Sequence, residues 1–221
     1  MKSKFFRYAI FSVASLALAF TGNFAAAANV ETIVCVRHGE KPPQGLGQLT
    51  PQGLQRALAL PDVLLRKFGT PQYIFAPDPA QTVNEDNGVY SYVRPLATIE
   101  PTAIRCGLPV NTQFGAKDIA ALEDKLRQPE YANAVVFVAW EHLWLDKFVK
   151  QVVGDFGGDA KSVPHWYGKD YDSIYIIRIT DGKTVTFTLD HEGLDPVGIP
   201  ASIPAAVAPA PTSAPPTAPV D

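Results

Sequence analysis

Short apolar runs alternate with longer amphipathic stretches along most of this chain. Residues 32–36 and 133–140 are rich in β-branched residues and almost free of polar ones, which is typical of strands covered on both faces. Strands are predicted at residues 32–36, 72–76, 108–112, 133–140, 172–180 and 184–190. Because Asp-Gly-Lys at residues 181–183 joins the last two strands, these two are predicted to form a hairpin.

The stretch after Thr50 has leucines at helical spacing, with Thr50 suited to cap the first turn, Pro51 at the first position and Gly69 at the end. Further helices are predicted at residues 94–104, 118–126 and 143–153. Strands that alternate with helices predict an α/β domain, a three-layer sandwich in which helices flank a mainly parallel sheet. Ligands of such sheets bind beyond the carboxyl ends of the strands, where residues 37–40 and 141–142 would fall.

The first 28 residues have the pattern of a secretory signal peptide. Lys2, Lys4 and Arg7 precede an apolar run, and a stretch of small residues ending at Ala28 follows it. The alternative is an uncleaved anchor, but the apolar run at residues 9–20 is shorter than the roughly 20 residues that a membrane span needs. We therefore expect cleavage near Ala28 and a mature protein that is secreted or periplasmic and lacks a membrane span.

The composition narrows the range of partners. Without the three basic residues of the leader, the formal net charge changes from −3 to −6, which argues against a nucleic acid partner. The Ala- and Pro-rich residues 198–221 predict a disordered tail, so the domain is expected to span residues 29–197. The position of Cys35 inside an apolar strand favours a buried free thiol over a disulfide with Cys106.

Arg37, His38 and Glu40 directly follow the first predicted strand. A guanidinium can grip two phosphate oxygens, and a neutral imidazole beside it can attack phosphorus and form a phosphohistidine. The glycine between them and Glu40 lets a ligand approach the backbone. The alternative is a surface ion pair between Arg37 and Glu40, with His38 as a structural loop residue. Their position at the end of a buried strand favours the phosphate site.

The Arg-His-Gly sequence at residues 37–39 resembles the signature of the histidine phosphatase superfamily, which has the phosphoglycerate-mutase-like fold. The start of the first helix is also similar to the family pattern, through Leu49, Thr50, Gly53 and Ala57. Arg56 stands where the family usually has glutamine. The resemblance implies that His38 is the nucleophile that accepts the phosphoryl group and that Arg37 binds the phosphate.

The family also has a second arginine after the second strand and a second histidine at the end of a later strand. The resemblance implies that Arg94 and His142 take these roles and contact the phosphoryl oxygens. Arg94 lies 18 residues beyond Ala76, farther than is usual, so residues 77–93 are expected to form an enlarged loop beside the pocket.

Many relatives use a carboxylate to protonate the leaving group. Two residues could serve here: Glu141, next to His142, and Asp118, at the start of a predicted helix. Glu141 is favoured because it lies at the pocket, although an ion pair with an arginine is its simpler role. If neither residue serves, the substrate would need a good leaving group, as in a phosphohistidine or an acyl phosphate.

No metal or cofactor is expected, because Arg37 and Arg94 would point positive charges at a metal ion bound by the histidines. The sequence therefore predicts an exported phosphatase of the histidine acid phosphatase type, a metal-independent phosphoric monoester hydrolase. It would act on a small phosphorylated substrate through a phosphohistidine at His38. The alternative is a catalytically weak or inactive module that binds phosphate esters on the same fold.

Overall fold

The computed structural model describes residues 28–194. The predicted leader, apart from Ala28, and the predicted tail at residues 198–221 lie outside the described residues. Within the described range no helix is long and apolar enough to cross a membrane.

The chain forms strands and helices in nearly the predicted order. The strands are β1 (Val30–Arg37), β2 (Tyr73–Phe75), β3 (Thr82–Glu85), β4 (Gly88–Ser91), β5 (Val110–Asn111), β6 (Val135–Trp140), β7 (Ser173–Thr180) and β8 (Thr184–His191). The helices are α1 (Pro51–Phe68), α2 (Arg94–Cys106), α3 (Ile119–Leu126) and α4 (His142–Asp155). Every predicted strand and helix is present, although the strand expected at residues 108–112 is reduced to the two residues of β5.

Six of these strands form one sheet in the order β5-β2-β6-β1-β7-β8. Strands β5, β2, β6 and β1 are parallel, whereas β7 runs antiparallel to β1 and β8 runs antiparallel to β7. The mainly parallel α/β sheet predicted from the sequence is therefore confirmed.

The two faces of the sheet carry separate groups of buried side chains. Ile33 and Cys35 belong to the group that includes the apolar faces of α3 and α4. Val34 and Val36 belong to the group that includes α1 and α2. Because successive side chains of a strand point to opposite faces, this division places one helix pair on each side of β1. The result is the expected three-layer sandwich, in which β1 is buried on both faces.

Helix α1 begins and ends where its sequence indicates. The side-chain oxygen of Thr50 accepts a hydrogen bond from the backbone N–H of Gly53 at 3.0 Å, and Pro51 occupies the first helical position. Gly69 ends the helix with φ 74°, a conformation that glycine adopts without a steric cost. The loop that carries the Arg-His-Gly sequence is attached to this helix start, because the backbone N–H of Thr50 donates to Glu40 O at 2.8 Å.

Residues 77–93, expected to be an enlarged loop, contain the antiparallel hairpin β3-β4. Its turn is formed by Asp86 and Asn87, and Gly88 follows with φ 148°. The Asp-Asn-Gly sequence at residues 86–88 is a turn signal that the sequence prediction used only as part of a loop. The backbone N–H groups of Val93 and Arg94 donate to Gly47 O, so the end of the hairpin is tied to the loop that follows β1.

Both cysteines are free thiols. Cys35 is fully buried within β1, as expected, and burial raises the pKa of its thiol above the ordinary range. Cys106 is the last residue of α2 and is partly exposed.

Candidate active site

The ends of β1 and β6 are in register, and this alignment brings the two predicted histidines to one edge of the sheet. Arg37 pairs with Trp140 across the two parallel strands, and the backbone N–H of His38 donates to Trp140 O at 2.9 Å. Glu141 and His142 follow directly after Trp140. The expectation that residues 37–40 and 141–142 meet at the carboxyl edge of the sheet is confirmed.

Arg37 is only 2% exposed and is held by a loop before β7. Its Nη1 donates to the backbone carbonyl oxygens of Gly168 at 2.8 Å and Asp170 at 3.0 Å. The guanidinium carbon lies 3.8 Å from the centre of the Tyr171 ring. Its Nε–H has no hydrogen-bond partner among the described residues. Burial lowers the pKa of Arg37 from its ordinary value, so an anion close to this guanidinium would compensate a desolvated charge.

His38 is 1% exposed and its two ring nitrogens have different partners. Nδ1 lies 2.8 Å from Gly39 O, and Nε2 lies 3.1 Å from Nε of Arg94. Because a carbonyl oxygen only accepts and an arginine N–H only donates, the proton must be on Nδ1 and the lone pair on Nε2. Burial and then the charges of Arg94 and Arg37 lower the pKa of His38 well below its usual range. These contacts and this shift favour a neutral His38 whose lone pair is on Nε2.

Arg94 is the first residue of α2 and is 3% exposed. While its Nε donates to His38, its Nη1 donates to Oε1 of Glu85 at 2.5 Å. The other oxygen of Glu85 accepts from Nζ of Lys41 at 3.0 Å. The guanidinium carbon of Arg94 also lies 4.9 Å from the centre of the Tyr92 ring. The arginine predicted from the family pattern is thus in contact with the candidate nucleophile.

His142 is the first residue of α4, and Glu141 caps this helix. Oε2 of Glu141 accepts from the backbone N–H of Leu143 at 3.1 Å. Oε1 of Glu141 lies 2.6 Å from Nδ1 of His142, but the two atoms are not aligned for a hydrogen bond, and this Nδ1 has no hydrogen-bond partner among the described residues. The carboxylate is therefore a charge neighbour of His142 and a helix cap.

A cavity of about 340 Å³ adjoins these residues. Its wall is formed by Lys41, Thr82, Val83, Asn84, Glu85, Tyr92, Arg94, Ala116, Lys117, Glu141 and Trp144. Arg94 and Glu141 belong to this wall and connect the cavity to His38 and His142 through the contacts described above. Asp118, the other candidate acid, does not belong to the wall and instead accepts from the backbone N–H of Gly115 at 2.9 Å, at the start of α3.

Glu40 does not take part in the ion pair with Arg37 that was one interpretation of the sequence. Its carboxylate pairs with Nη2 of Arg56 at 2.9 Å, and Arg56 also pairs with Glu192 at 2.7 Å. Arg56 is 1% exposed, so this group is a buried link between the loop after β1, helix α1 and the end of β8. Arg56, at the position where the family usually has glutamine, therefore has two carboxylate partners, Glu40 and Glu192.

Sequence reasoning missed Glu85, Lys41 and Tyr171. Glu85 lies on the hairpin that was expected to be a loop, and Tyr171 lies in a segment without a repeating pattern. Among the residues that the structure describes, no group of three or more His, Cys, Asp or Glu side chains could hold a metal ion.

No protein-family model and no curated protein matches this sequence. Among solved structures, the chain is similar to the protein histidine phosphatase SixA complexed with tungstate, with 13% sequence identity and a TM-score of 0.52 over 73% of this chain and 97% of that chain. It is also similar to a protein described as mycobacterial hydrolase 2, with 14% identity and a TM-score of 0.50 over 73% of this chain and 89% of that one. The chain therefore has the fold of the histidine phosphatases, the phosphoglycerate-mutase-like fold predicted from its sequence.

Proposed function

We propose that the protein is a phosphatase that hydrolyses small phosphate monoesters through a phosphohistidine at His38. One observation carries this proposal: a neutral, buried His38 directs the lone pair of Nε2 toward the guanidinium of Arg94. A basic nitrogen next to a cation that can hold phosphoryl oxygens is the arrangement that nucleophilic phosphoryl transfer requires. The similarity to a histidine phosphatase complexed with tungstate, an oxyanion, supports the same interpretation.

In the proposed first step, Nε2 of His38 forms a bond to phosphorus and the bond to the leaving-group oxygen breaks. Arg37, Arg94 and His142 bind the phosphoryl oxygens, so that the N–H of Arg94 moves from Nε2 to an oxygen of the incoming group. Glu141, which forms part of the cavity wall, enters this step as the protonated acid and gives its proton to the departing oxygen. In the second step, water loses a proton to Glu141 and its oxygen bonds to phosphorus while the bond between phosphorus and Nε2 breaks, which releases inorganic phosphate and restores His38.

The alternative function is a phosphate-ester-binding module without turnover, and the environment of Glu141 favours it. Both carboxylate oxygens of Glu141 already have neighbours, the N–H of Leu143 and Nδ1 of His142. Glu141→Gln, assayed on a good and a poor leaving group, tests whether Glu141 is the proton donor of the proposed phosphatase. As the proton donor, Glu141 is required mainly for the poor leaving group; an equal loss on both would remove this role from it.

Hydrolysis of para-nitrophenyl phosphate in the presence of EDTA tests the proposed activity. We expect turnover by the wild-type domain and loss of turnover in His38→Ala, while His165→Ala, a substitution at a histidine with a half-exposed side chain, keeps it. No turnover by the wild type between pH 4 and 8, together with tight binding of inorganic phosphate, would support the binding module instead. Turnover that EDTA abolishes would contradict a metal-independent reaction. A panel of phosphate esters would then define the substrate.

We also propose that the enzyme is exported and acts outside the cytoplasm, as a secreted or periplasmic protein. The support is the leader pattern of residues 1–28. N-terminal sequencing of the protein from fractionated cells tests this, with a mature chain starting near Asn29 as the expected result. A full-length chain in the cytoplasmic fraction would contradict it.

A further inference from the structure

Glu85 lies between two cations at the cavity, and no step of the proposed reaction uses it. Its side chain is 7% exposed, and its two oxygens accept from Arg94 at 2.5 Å and from Lys41 at 3.0 Å. Burial opposes ionisation of this carboxyl, but the hydrogen bonds and charges of Lys41 and Arg94 outweigh burial and lower its pKa below the usual range. A carboxylate that stays ionised between two partners is suited to hold them and unsuited to donate protons.

The contacts of Arg94 show how Glu85 fixes the orientation of its guanidinium group. The guanidinium is planar, so its orientation is fixed once two of its nitrogens are bound in different directions. Nε is bound to Nε2 of His38, and Nη1 is bound to Glu85. The contact with Glu85 therefore sets the direction in which the Nε edge faces the nucleophile.

We propose that Glu85 is a positioning residue for Arg94, and that the hairpin β3-β4 exists at this site to deliver it. This inference rests on the proposed function, because it assigns Glu85 a part in phosphoryl transfer by His38. Lys41 completes the arrangement, since its ammonium group holds the second oxygen of Glu85 and balances a negative charge that would otherwise repel a phosphoryl group. Positioning of this kind affects the rate strongly, because small displacements of an aligned donor weaken its contact with the transition state.

The first test compares Glu85→Gln with Asp86→Asn. Asp86 is the next residue on the same hairpin, is exposed, and its side chain has no ion pair or hydrogen bond within residues 28–194, so its substitution removes the same charge without touching Arg94. We expect Glu85→Gln to lower kcat about 10- to 100-fold, with a smaller change in KM, and Asp86→Asn to retain wild-type kcat. Equal kcat values for the two variants would overturn the proposal.

A double substitution separates positioning from a general effect on stability. If Glu85 acts through Arg94, then Glu85→Gln produces no further loss in an Arg94→Lys background. Losses that multiply in the double variant would contradict the proposal.

The pH profile of kcat gives a second criterion. Lys41→Met removes a cation that lowers the pKa of Glu85, so the acidic limb of the profile should move to higher pH. The double variant Lys41→Met, Glu85→Gln should lack this shift, and its persistence there would also contradict the proposal.

A further test does not depend on turnover, so it remains decisive if the proposed function fails. In NMR spectra of ¹⁵N-labelled protein, the Nε–H proton of Arg94 should be protected from exchange with water, because it is hydrogen-bonded to His38. We expect Glu85→Gln to abolish the protection, and Asp86→Asn to leave it unchanged. If the protection is unchanged in Glu85→Gln, the positioning role is overturned whatever the activity of the protein. If Glu85→Gln abolishes the protection but the wild type forms no phosphohistidine, only the proposed function is overturned.

Discussion

Nε of Arg94 donates a hydrogen bond to Nε2 of His38 across 3.1 Å, between residues that are 56 positions apart in the chain. His38 follows the buried strand β1 and Arg94 begins helix α2, so the contact joins the central sheet to one of its covering helices. The candidate nucleophile and the candidate phosphate clamp are therefore held in direct contact by rigid elements. This contact accounts for the direction of the lone pair of His38, and it adds to the burial that favours the neutral ring.

Arg94→Lys tests the requirement for a guanidinium at this position. An ammonium group is a compact charge without a planar fork, so it cannot keep the contacts to both His38 and Glu85 in the same directions. We expect kcat to fall about 10²- to 10³-fold, the loss typical of a removed transition-state donor. Arg105→Lys is the matched control, because Arg105 lies on the same helix and pairs with Asp62 at the exposed surface. Similar rates for the two variants would show that Arg94 acts only as a positive charge.

The protonation state of His38 is open to a direct measurement. Because burial and the two arginines lower the pKa of His38 well below its usual range, its ring should remain neutral at pH 5 to 8. An NMR titration of ¹⁵N-labelled histidines should show no protonation of His38 in that interval. Arg94→Ala removes one of the cations, so the pKa of His38 should rise. Titration of His38 near 6.5 in the wild type would contradict the neutral nucleophile.

Every element that positions the site could be predicted from the sequence except the hairpin. The uninterrupted apolar runs that became β1 and β6, and the cap at Thr50, are local patterns with one strong structural interpretation. Glu85 could not be placed in the same way, since its role depends on a contact with Lys41, 44 residues away, and on a hairpin whose short strands are partly exposed. The Asp-Asn-Gly sequence at residues 86–88 was the usable signal, and it predicts a turn but not the ion pairs.

The roles of Arg94 and His142 were assigned only through the family pattern, although the position of His142 after a predicted strand already placed it at the ligand-binding edge of the sheet. The register of β1 with β6 explains why His142 lies at the same edge of the sheet as His38. The partner of Glu40 was beyond sequence reasoning, since Arg56 reaches it from a helix and Glu192 joins them from the end of the last strand. Long-range ion pairs of this kind leave no periodic signal.

Arg56→Met tests whether this buried ion group stabilises the fold. The substitution removes the cation between Glu40 and Glu192 and leaves Glu192 buried without its partner at 2.7 Å. Loss of one member of a buried pair typically costs about 3 to 5 kcal/mol. Urea unfolding measures this cost, with Arg66→Met at an exposed position of α1 as the control. Adding Glu192→Gln to Arg56→Met should recover part of the loss, and equal stability of the two single variants would contradict the structural role.

Glu31 predicts a pH dependence of stability that is separate from the site. It is 5% exposed in β1, its Oε1 has no hydrogen-bond partner among residues 28–194, and burial raises the pKa of this carboxyl from 4.5 to about 8. The folded state therefore binds a proton more tightly than the unfolded state. This contribution to stability is complete below about pH 4.5 and is lost as the pH rises through 8.

Glu31→Gln cannot ionise, so its advantage in Tm over the wild type should grow from pH 5 to pH 9. Thermal unfolding across this range measures the difference, and Glu100→Gln at an exposed position of α2 should show no such trend. A constant difference between Glu31→Gln and the wild type at all pH values would show that Glu31 has an ordinary carboxyl in the folded protein.

The central claim is that phosphorus becomes bonded to Nε2 of His38 during turnover. Rapid mixing of the enzyme with para-nitrophenyl phosphate, denaturation in alkali and mass spectrometry of the peptides measures this directly. We predict one phosphoryl group on the peptide that contains His38, stable in alkali, labile in acid and absent from His38→Ala. A wild-type enzyme that releases para-nitrophenol while this peptide stays unmodified, or that carries the phosphoryl group on another residue, would contradict the account.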